Sequence, residues 1–381
     1  VSPGGTLLER LVAEAQNAST LDTLLAAAAS GAFEQAILVT EDAGLAAAAG
    51  SISALPLIVE PASAPASPGK PFNFGDNLRT VCKAHSLERV VYMGGGSMPL
   101  GTPPALADLA IAAGSSSPCV VSNNLFSADI VAFYPASALE RIDPPANDND
   151  LAWLLHYRAG LPHAATPRTL ATDFDIDTPT DLATLYVATL SAPLDSAVGP
   201  HLRAELERVP AEMPALAASL EQAYKVMATR RAQVLLAGRV SSWTWKRLEA
   251  NLPCQTRIFS EERGMRASGR EARGEVRSLL GLYADIAGID GLISALEQTS
   301  DAAFLDTRVL FAHRRLSPTR TDRFASDAMQ PDQVSDPWIR ELTEASISAS
   351  IPIVMGGHSL ISGGVWAMSE RVRGSASAAT G

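Results

Sequence analysis

Asp173-Phe-Asp-Ile-Asp-Thr-Pro-Thr-Asp-Leu182 is the stretch on which the reading of this chain turns. Asp173, Asp175 and Asp177 lie two residues apart, so in an extended segment all three project to one face. Carboxylates crowded on one face repel unless a cation joins them, and Mg²⁺, a hard cation, takes oxygen ligands and keeps phosphates as its others. Thr178 then fits an N-cap and Pro179 the first helical position. Asp181 falls in the first turn, where the helix dipole favours negative charge. The plain alternative is a capped helix after a strand, with no ligand at all.

Working back from this stretch, short apolar runs alternate with helical patterns. Ala36-Ile-Leu-Val-Thr40, Leu55-Pro-Leu-Ile-Val59, Arg89-Val-Val-Tyr-Met93, Cys119-Val-Val121 and Ile130-Val-Ala-Phe-Tyr134 read as buried strands. Helices are expected over 6–29, 76–85, 104–113 and 151–159, and from Pro179 onward, with a break or restart of the first at 17–22. The segment 60–71 is rich in Pro, Ala and Ser and reads as a loop. This alternation predicts an α/β fold with a mostly parallel sheet covered by helices.

Pro193, Gly199 and Pro200 break the pattern, which divides the expected domains at 1–195 and 196–373. The second half reads as α/β with more helix. Strands are expected at 233–237, 256–260, 308–312 and 351–355, with a long helical segment over 202–231. The small, polar residues 374–381 read as a disordered tail.

"DIDTPTDL" resembles the late "DxDTPxDL" motif of nucleotidyltransferases with a glycosyltransferase-A fold, such as the 2-phospho-lactate guanylyltransferases and related sugar- and cofactor-activating enzymes. The order of elements before it is similar too, over about the first 190 residues. The resemblance implies a transfer of a nucleoside monophosphate from a nucleoside triphosphate to a phosphorylated or carboxylated small-molecule acceptor, releasing pyrophosphate. It implies Mg²⁺ as cofactor, with Asp177 as a ligand and Asp175 beside it. The family's "GDxPL" acid is replaced here, because that position reads Gly95-Gly96-Ser97-Met98-Pro99-Leu100. Its "LAAGxGxRM" loop has no counterpart after Val1. Either that loop precedes Val1 or the domain has lost it, and in the second case the domain is a catalytically degenerate nucleotide- or sugar-binding module.

Several other residues are chemical candidates. Gly94, Gly95, Gly96 and Ser97 follow a strand, where a backbone without Cβ atoms lets a nucleotide or phosphate approach; a tight turn is the alternative. Asn123, in Ser122-Asn-Asn124, has the donors and acceptors to bind a base or sugar, or to make an ordinary turn. Lys70 and Arg79 flank Phe72-Asn-Phe-Gly-Asp76 within reach of a phosphate. In the second half, Ser260-Glu-Glu-Arg-Gly-Met-Arg-Ala-Ser-Gly-Arg270 with Arg273 and Arg277 offers arginine forks for anions, or else a solvated loop of Glu–Arg pairs. Gly356-Gly-His-Ser359 is a glycine-rich strand-to-helix turn, a natural anion site, and His358 in it is a candidate acid or base. Asp306, His313, Asp327 and His358 make a hydrolase, transferase or metal site only if folding gathers them.

The 381 residues are 47% hydrophobic and carry a net charge of −11, with a pI near 5.1. Such a chain has no general field for a nucleic-acid backbone, so no nucleic-acid partner is expected. Cys82, Cys119 and Cys254 are odd in number and widely spaced, which suits reduced thiols. No run approaches the roughly 20 apolar residues of a membrane span and no secretory pattern opens the chain. No membrane partner is therefore expected and the cytoplasm is the default compartment. A homo-oligomer remains compatible with the composition.

Overall fold

The computed structural model describes residues 5–62, 72–114, 116–190 and 194–380. Lys70, Pro193 and most of the expected loop at 60–71 lie outside the described residues. The chain forms two compact units, one of residues 16–173, the other of residues 1–15 with 174–381. The division falls at 173/174 rather than near 195. The helix Pro179–Thr189 is buried along nearly its whole length, and it packs with the helices Pro214–Met227 and Val365–Thr380 of the second unit.

In the unit of residues 16–173, β1 (Ala36–Val39) and β2 (Leu57–Glu60) pair in parallel. β3 (Val90–Met93), β4 (Cys119–Ser122), β5 (Ile130–Tyr134) and β6 (His163–Ala165) form a second sheet in the order β3-β5-β4-β6. β5 runs antiparallel to both neighbours, whereas β4 and β6 are parallel. Val120, Val131, Phe133, Leu151 and Leu155 fill its core. The helix Leu7–Ser30 is continuous. Asn17 to Asp22 do not interrupt it: Asn17, Thr20 and Asp22 keep partial exposure while Ala18, Ser19 and Leu21 are buried.

The other unit is built on β7 (Gln233–Gly238), β8 (Gln255–Ser260), β9 (Ala302–Asp306) and β10 (Ile353–Gly356). Their order is β10-β9-β7-β8 and every pair is parallel. Alternate residues serve opposite faces. Leu235, Ala237, Ala303, Leu305, Ile353 and Met355 pack on Leu292, Ile293 and Leu296 of one helix and Leu342 of another. Helix Pro214–Met227 also packs on this sheet. The inner strands β7 and β9 and the edge strand β10 are buried almost throughout and read as unbroken apolar runs. Overall the protein is a mixed α/β structure, as the alternation predicted; β1-β2 and β10-β9-β7-β8 are parallel, whereas two of the three pairings in β3-β5-β4-β6 are antiparallel, contrary to the mostly parallel sheet expected there.

Three local expectations give way. Arg308-Val-Leu-Phe-Ala312 is not a strand: it lies in the helix Thr307–His313, and the strand is the preceding Ala302–Asp306. Burial on all sides made a short helix look like a buried strand. The helix Val365–Thr380 runs through the segment expected to be a disordered tail. The long helical segment after Leu202 is three helices, Pro200–Leu206, Val209–Glu212 and Pro214–Met227, with a proline in the first turn of each.

One helix, Leu279–Thr299, is long and apolar enough by composition to cross a membrane. Gly288, at φ 76° and ψ 174°, breaks it in the middle. Neither half then approaches the roughly 20 residues of a span.

Candidate functional site

In an open parallel sheet, ligands bind beyond the carboxyl ends of the strands, where the strand order reverses. Here β7 leads outward to β8, and β9 returns to the other side of β7. The reversal therefore lies between Gly238, the last residue of β7, and Asp306, the last of β9. Gly238 has φ +118°, and a Cβ on it would stand 2.4 Å from Asp306 Cβ. Only glycine lets the two strand ends close up.

That closeness delivers the next residue, Arg239, to the carboxylate. Arg239 donates to Asp306 through Nε at 2.5 Å and Nη2 at 3.0 Å, the bidentate fork geometry. Burial pushes the Asp306 carboxyl up, but the charge and hydrogen bonds of Arg239, with His358 and Arg308, outweigh it and hold the group below the usual range. Asp306 is thus a fixed, buried anion at the switch point.

His358 follows β10 by two residues. Its side chain is solvent-exposed, yet desolvation by the surrounding protein is the largest cause lowering its pKa, followed by the charges of Arg239 and Arg263; Asp306 opposes them, and the value falls to about 4. His358 is therefore a neutral imidazole at pH 7, able to accept a proton.

Arg308 and Asp327 form a second buried pair, with Nη1 to Oδ1 at 2.9 Å and Nη2 to Oδ2 at 2.5 Å. Burial works against the Arg308 charge, but Asp327 more than offsets it and the guanidinium is held above its usual value. A Cβ on Gly357 would lie 4.0 Å from Arg308 Nε, so this pair lies beside the turn that bears His358. Thr307 Oγ1 also donates to the Gly356 carbonyl, at 3.3 Å. The glycine-rich turn and the β9 end are thereby tied together.

The arginine-rich loop after β8 is anchored by Met265 and Val276, which pack on Val309 and Ala312. Most of its charges are paired locally: Arg266 with Glu271, Arg270 with Glu262 and Arg273 with Glu275. Arg263 has no ion pair with a described carboxylate, and its charge reaches His358.

Asp173 closes the short helix Leu170–Asp173 in the first unit, so the three aspartates do not share one extended face. Asp175 accepts a short hydrogen bond from Ser359 Oγ, which also donates to the Asp175 carbonyl at 3.1 Å. Thr178 is the N-cap and Pro179 the first helical residue, as the sequence suggested, and Thr178 and Asp181 further form a reciprocal capping box. Asp181 Oδ2 accepts from Asp177 N at 3.1 Å and from Thr178 N and Oγ1, both at 2.8 Å. Its Oδ1 is buried without a hydrogen-bond partner. Burial, then the charges of Asp177 and Asp327, push this carboxyl up to about 8. Among the described residues, no three His, Cys, Asp or Glu side chains are grouped to hold a metal ion. Asp175 and Asp177 supply two carboxylates, the number a phosphate-bearing Mg²⁺ commonly takes from protein.

His313 does not join this site. It accepts from Ser278 N at Nδ1, 3.2 Å, and its Nε2 meets Asp285 Oδ2 at 3.0 Å. In the first unit, Ser97 Oγ donates to the Gly94 carbonyl at 2.6 Å and Ser97 N to the same oxygen at 3.2 Å, so the loop Gly94-Gly95-Gly96-Ser97 is a closed turn. Asn123 is fully used in latching the β4–β5 connection: its Oδ1 accepts from Asp129 N and Ile130 N, and its Nδ2 donates to the Thr172 carbonyl. Arg79 donates to the Leu139 and Ile142 carbonyls, a structural tie rather than a phosphate contact.

Sequence reading missed Arg239. A signal existed, since a glycine ending a strand marks close approach of a neighbour. No family model matches the sequence, and no curated protein matches it.

Proposed function

We propose that the chain is a group-transfer enzyme, transferase or hydrolase, that holds a phosphate- or carboxylate-bearing small molecule at the carboxyl edge of the sheet β10-β9-β7-β8. One observation carries the reading: the strand reversal holds an Arg239–Asp306 pair at the edge with a neutral, solvent-facing His358, whose imidazole feels the charge of the exposed Arg263. Arg263 would hold the anionic group. His358 would take the proton from an attacking hydroxyl or water, as a general base does. Asp306, kept ionised by Arg239, would stabilise the imidazolium that forms. The chemistry asks mostly for positioning and fixed charge, which this edge supplies before any ligand arrives. The test is calorimetric titration of inorganic phosphate into the full chain. Binding weakened at least tenfold in Arg263→Gln, with an unchanged melting temperature, is the expected result, and absence of binding by the wild type sinks the proposal.

A second reading, nucleotidyl transfer on a glycosyltransferase-A-like fold, is favoured by the crowding of Asp177 on Asp181 at the capping box. Asp175 and Asp177 would hold Mg²⁺, which when bound offsets charge on nucleotide phosphates. Here Ser359 positions Asp175, and Thr178 keeps Asp181 turned into the helix end. Titration of Mg²⁺ with GTP and then CTP into wild type and Asp177→Ala tests it. Metal-dependent binding lost in the variant supports it, and equal binding in both proteins removes it.

A further inference from the structure

We propose that the exposed helix face over 279–287 seats the protein reversibly on an anionic lipid surface. The inference uses no residue of the anion site and stands apart from that reading.

The helix Leu279–Thr299 is two helices that meet at Gly288. Each half carries large apolar residues at i, i+3, i+4 and i+7, the stripe of one helix face. In the second half this stripe is Ile289, Leu292, Ile293 and Leu296, all buried with the strands of the parallel sheet. In the first half it is Leu279, Leu282, Tyr283 and Ile286, which are 61%, 46%, 44% and 85% exposed. Small residues face inward there instead. Ala284 is buried, and a Cβ on Gly281 would stand 2.5 Å from His313 Cδ2. Of the most apolar 18-residue window of the whole helix, 33% is buried, where a core helix is mostly buried. A contiguous apolar patch of this kind marks an interaction site. Its start is fixed without a partner: Ser278 Oγ accepts from Gly281 N at 3.0 Å, and Glu261 accepts from Leu279 N at 2.9 Å.

The cations at that start point to the partner's chemistry. Arg277 and Arg315 are exposed and meet around Gly274. Arg277 Nη1 donates to the Gly274 carbonyl at 3.1 Å, and a Cβ on Gly274 would stand 3.1 Å from Arg315 Nε. Neither arginine has an ion pair with a described carboxylate. The acids of the same loop, Glu262, Glu271 and Glu275, are engaged by Arg270, Arg266 and Arg273, and Asp285 on the helix by Arg314. An apolar stripe rimmed by free arginines suits the bilayer interface, with the stripe at the acyl boundary and the cations among lipid phosphates. A helix lying flat needs no membrane-spanning length. A second copy of the chain fits less well, because four side chains fall short of the roughly 20–30 residues a side of a stable protein interface.

The experiment is flotation of the full chain with vesicles of phosphatidylcholine alone and of phosphatidylcholine mixed with phosphatidylserine. Wild type, Leu282→Ser, Ile286→Ser and the double variant Arg277→Gln/Arg315→Gln are compared, each checked for an unchanged melting curve. The wild type should float with the anionic vesicles at least about fivefold more than with the neutral ones. Each serine variant should lower that binding at least about threefold, and the double variant should lose the preference for anionic lipid. No flotation of the wild type with anionic vesicles overturns the proposal. So does equal flotation with both lipids, or flotation that both serine variants leave unchanged. A wild-type dimer in sedimentation equilibrium that Ile286→Ser dissociates also overturns it, and gives the face to a second copy. None of these outcomes bears on phosphate binding at the sheet edge.

Discussion

Asp181→Asn isolates a wholly buried carboxyl whose ionisation the fold opposes. The carboxyl is wholly buried, its Oδ2 serves three donors at the capping box and its Oδ1 serves none. Its pKa rises from 3.8 to about 8, through burial first and then the charges of Asp177 and Asp327. Between those values the folded chain keeps a proton that the unfolded chain has released. Stability therefore falls as pH rises from about 4 and levels off above about 8. One pKa unit corresponds to about 1.4 kcal/mol, so some three units between pH 4 and pH 7 amount to about 4 kcal/mol as a ceiling. Asparagine keeps the acceptor oxygen and has no proton to lose. Urea unfolding of both proteins at pH 4, 5.5, 7 and 8.5 measures the difference. Any fixed cost of the substitution shifts the variant's curve without changing its slope. The variant should gain on the wild type by 2–4 kcal/mol from pH 4 to pH 7, within that ceiling. Parallel profiles would refute the reasoning, because the carboxyl would then ionise in the fold as readily as in the unfolded chain.

Other consequences follow from the same frame. Gly238→Ala places a Cβ 2.4 Å from Asp306 Cβ at φ +118°; it should cost at least about 3 kcal/mol by thermal or urea unfolding, and a loss under 1 kcal/mol would show that the strand ends are not held together as described. Asp327→Asn leaves the Arg308 guanidinium buried without its counter-charge, and should cost about 3–5 kcal/mol, again read by urea unfolding. Cys82 and Cys254 are buried, with thiols pushed up to about 11 by desolvation. Half-buried Cys119 should therefore be alkylated first at pH 8, which mass spectrometry of timed samples would check.

Much of the fold was legible in the sequence. The runs at 233–237 and 351–355 mark strands that were legible because buried parallel strands are apolar throughout; the exposed edge strand over 256–260 showed itself by its alternation instead. The N-cap at Thr178 was legible because its chemistry is local. β9 was not, since Ala302 and Ala303 carry little strand preference while Val309, Leu310 and Phe311 next door carry much. The site was half legible. His358, Asp306 and Asp327 stood out as residue types, but nothing in their spacing said that His313 would turn to Ser278 and Asp285 instead. Arg239 matters only because Gly238 brings two strand ends together, and such a long-range approach leaves no local trace beyond the glycine itself. The aspartates at 173, 175 and 177 show the converse: an alternating pattern suggested one face, and the helix ending at Asp173 breaks it.

The most direct test of the anion site is the titration of His358 by long-range ¹H–¹⁵N NMR, free and with saturating inorganic phosphate, assigned with His358→Gln. Desolvation by the surrounding protein and the cations Arg239 and Arg263 place the free imidazole at about 4. A bound anion beside Arg263 opposes those cations and raises the value, so phosphate should tighten as pH falls towards 5. A His358 that titrates near the ordinary 6.5 with or without phosphate would contradict the site.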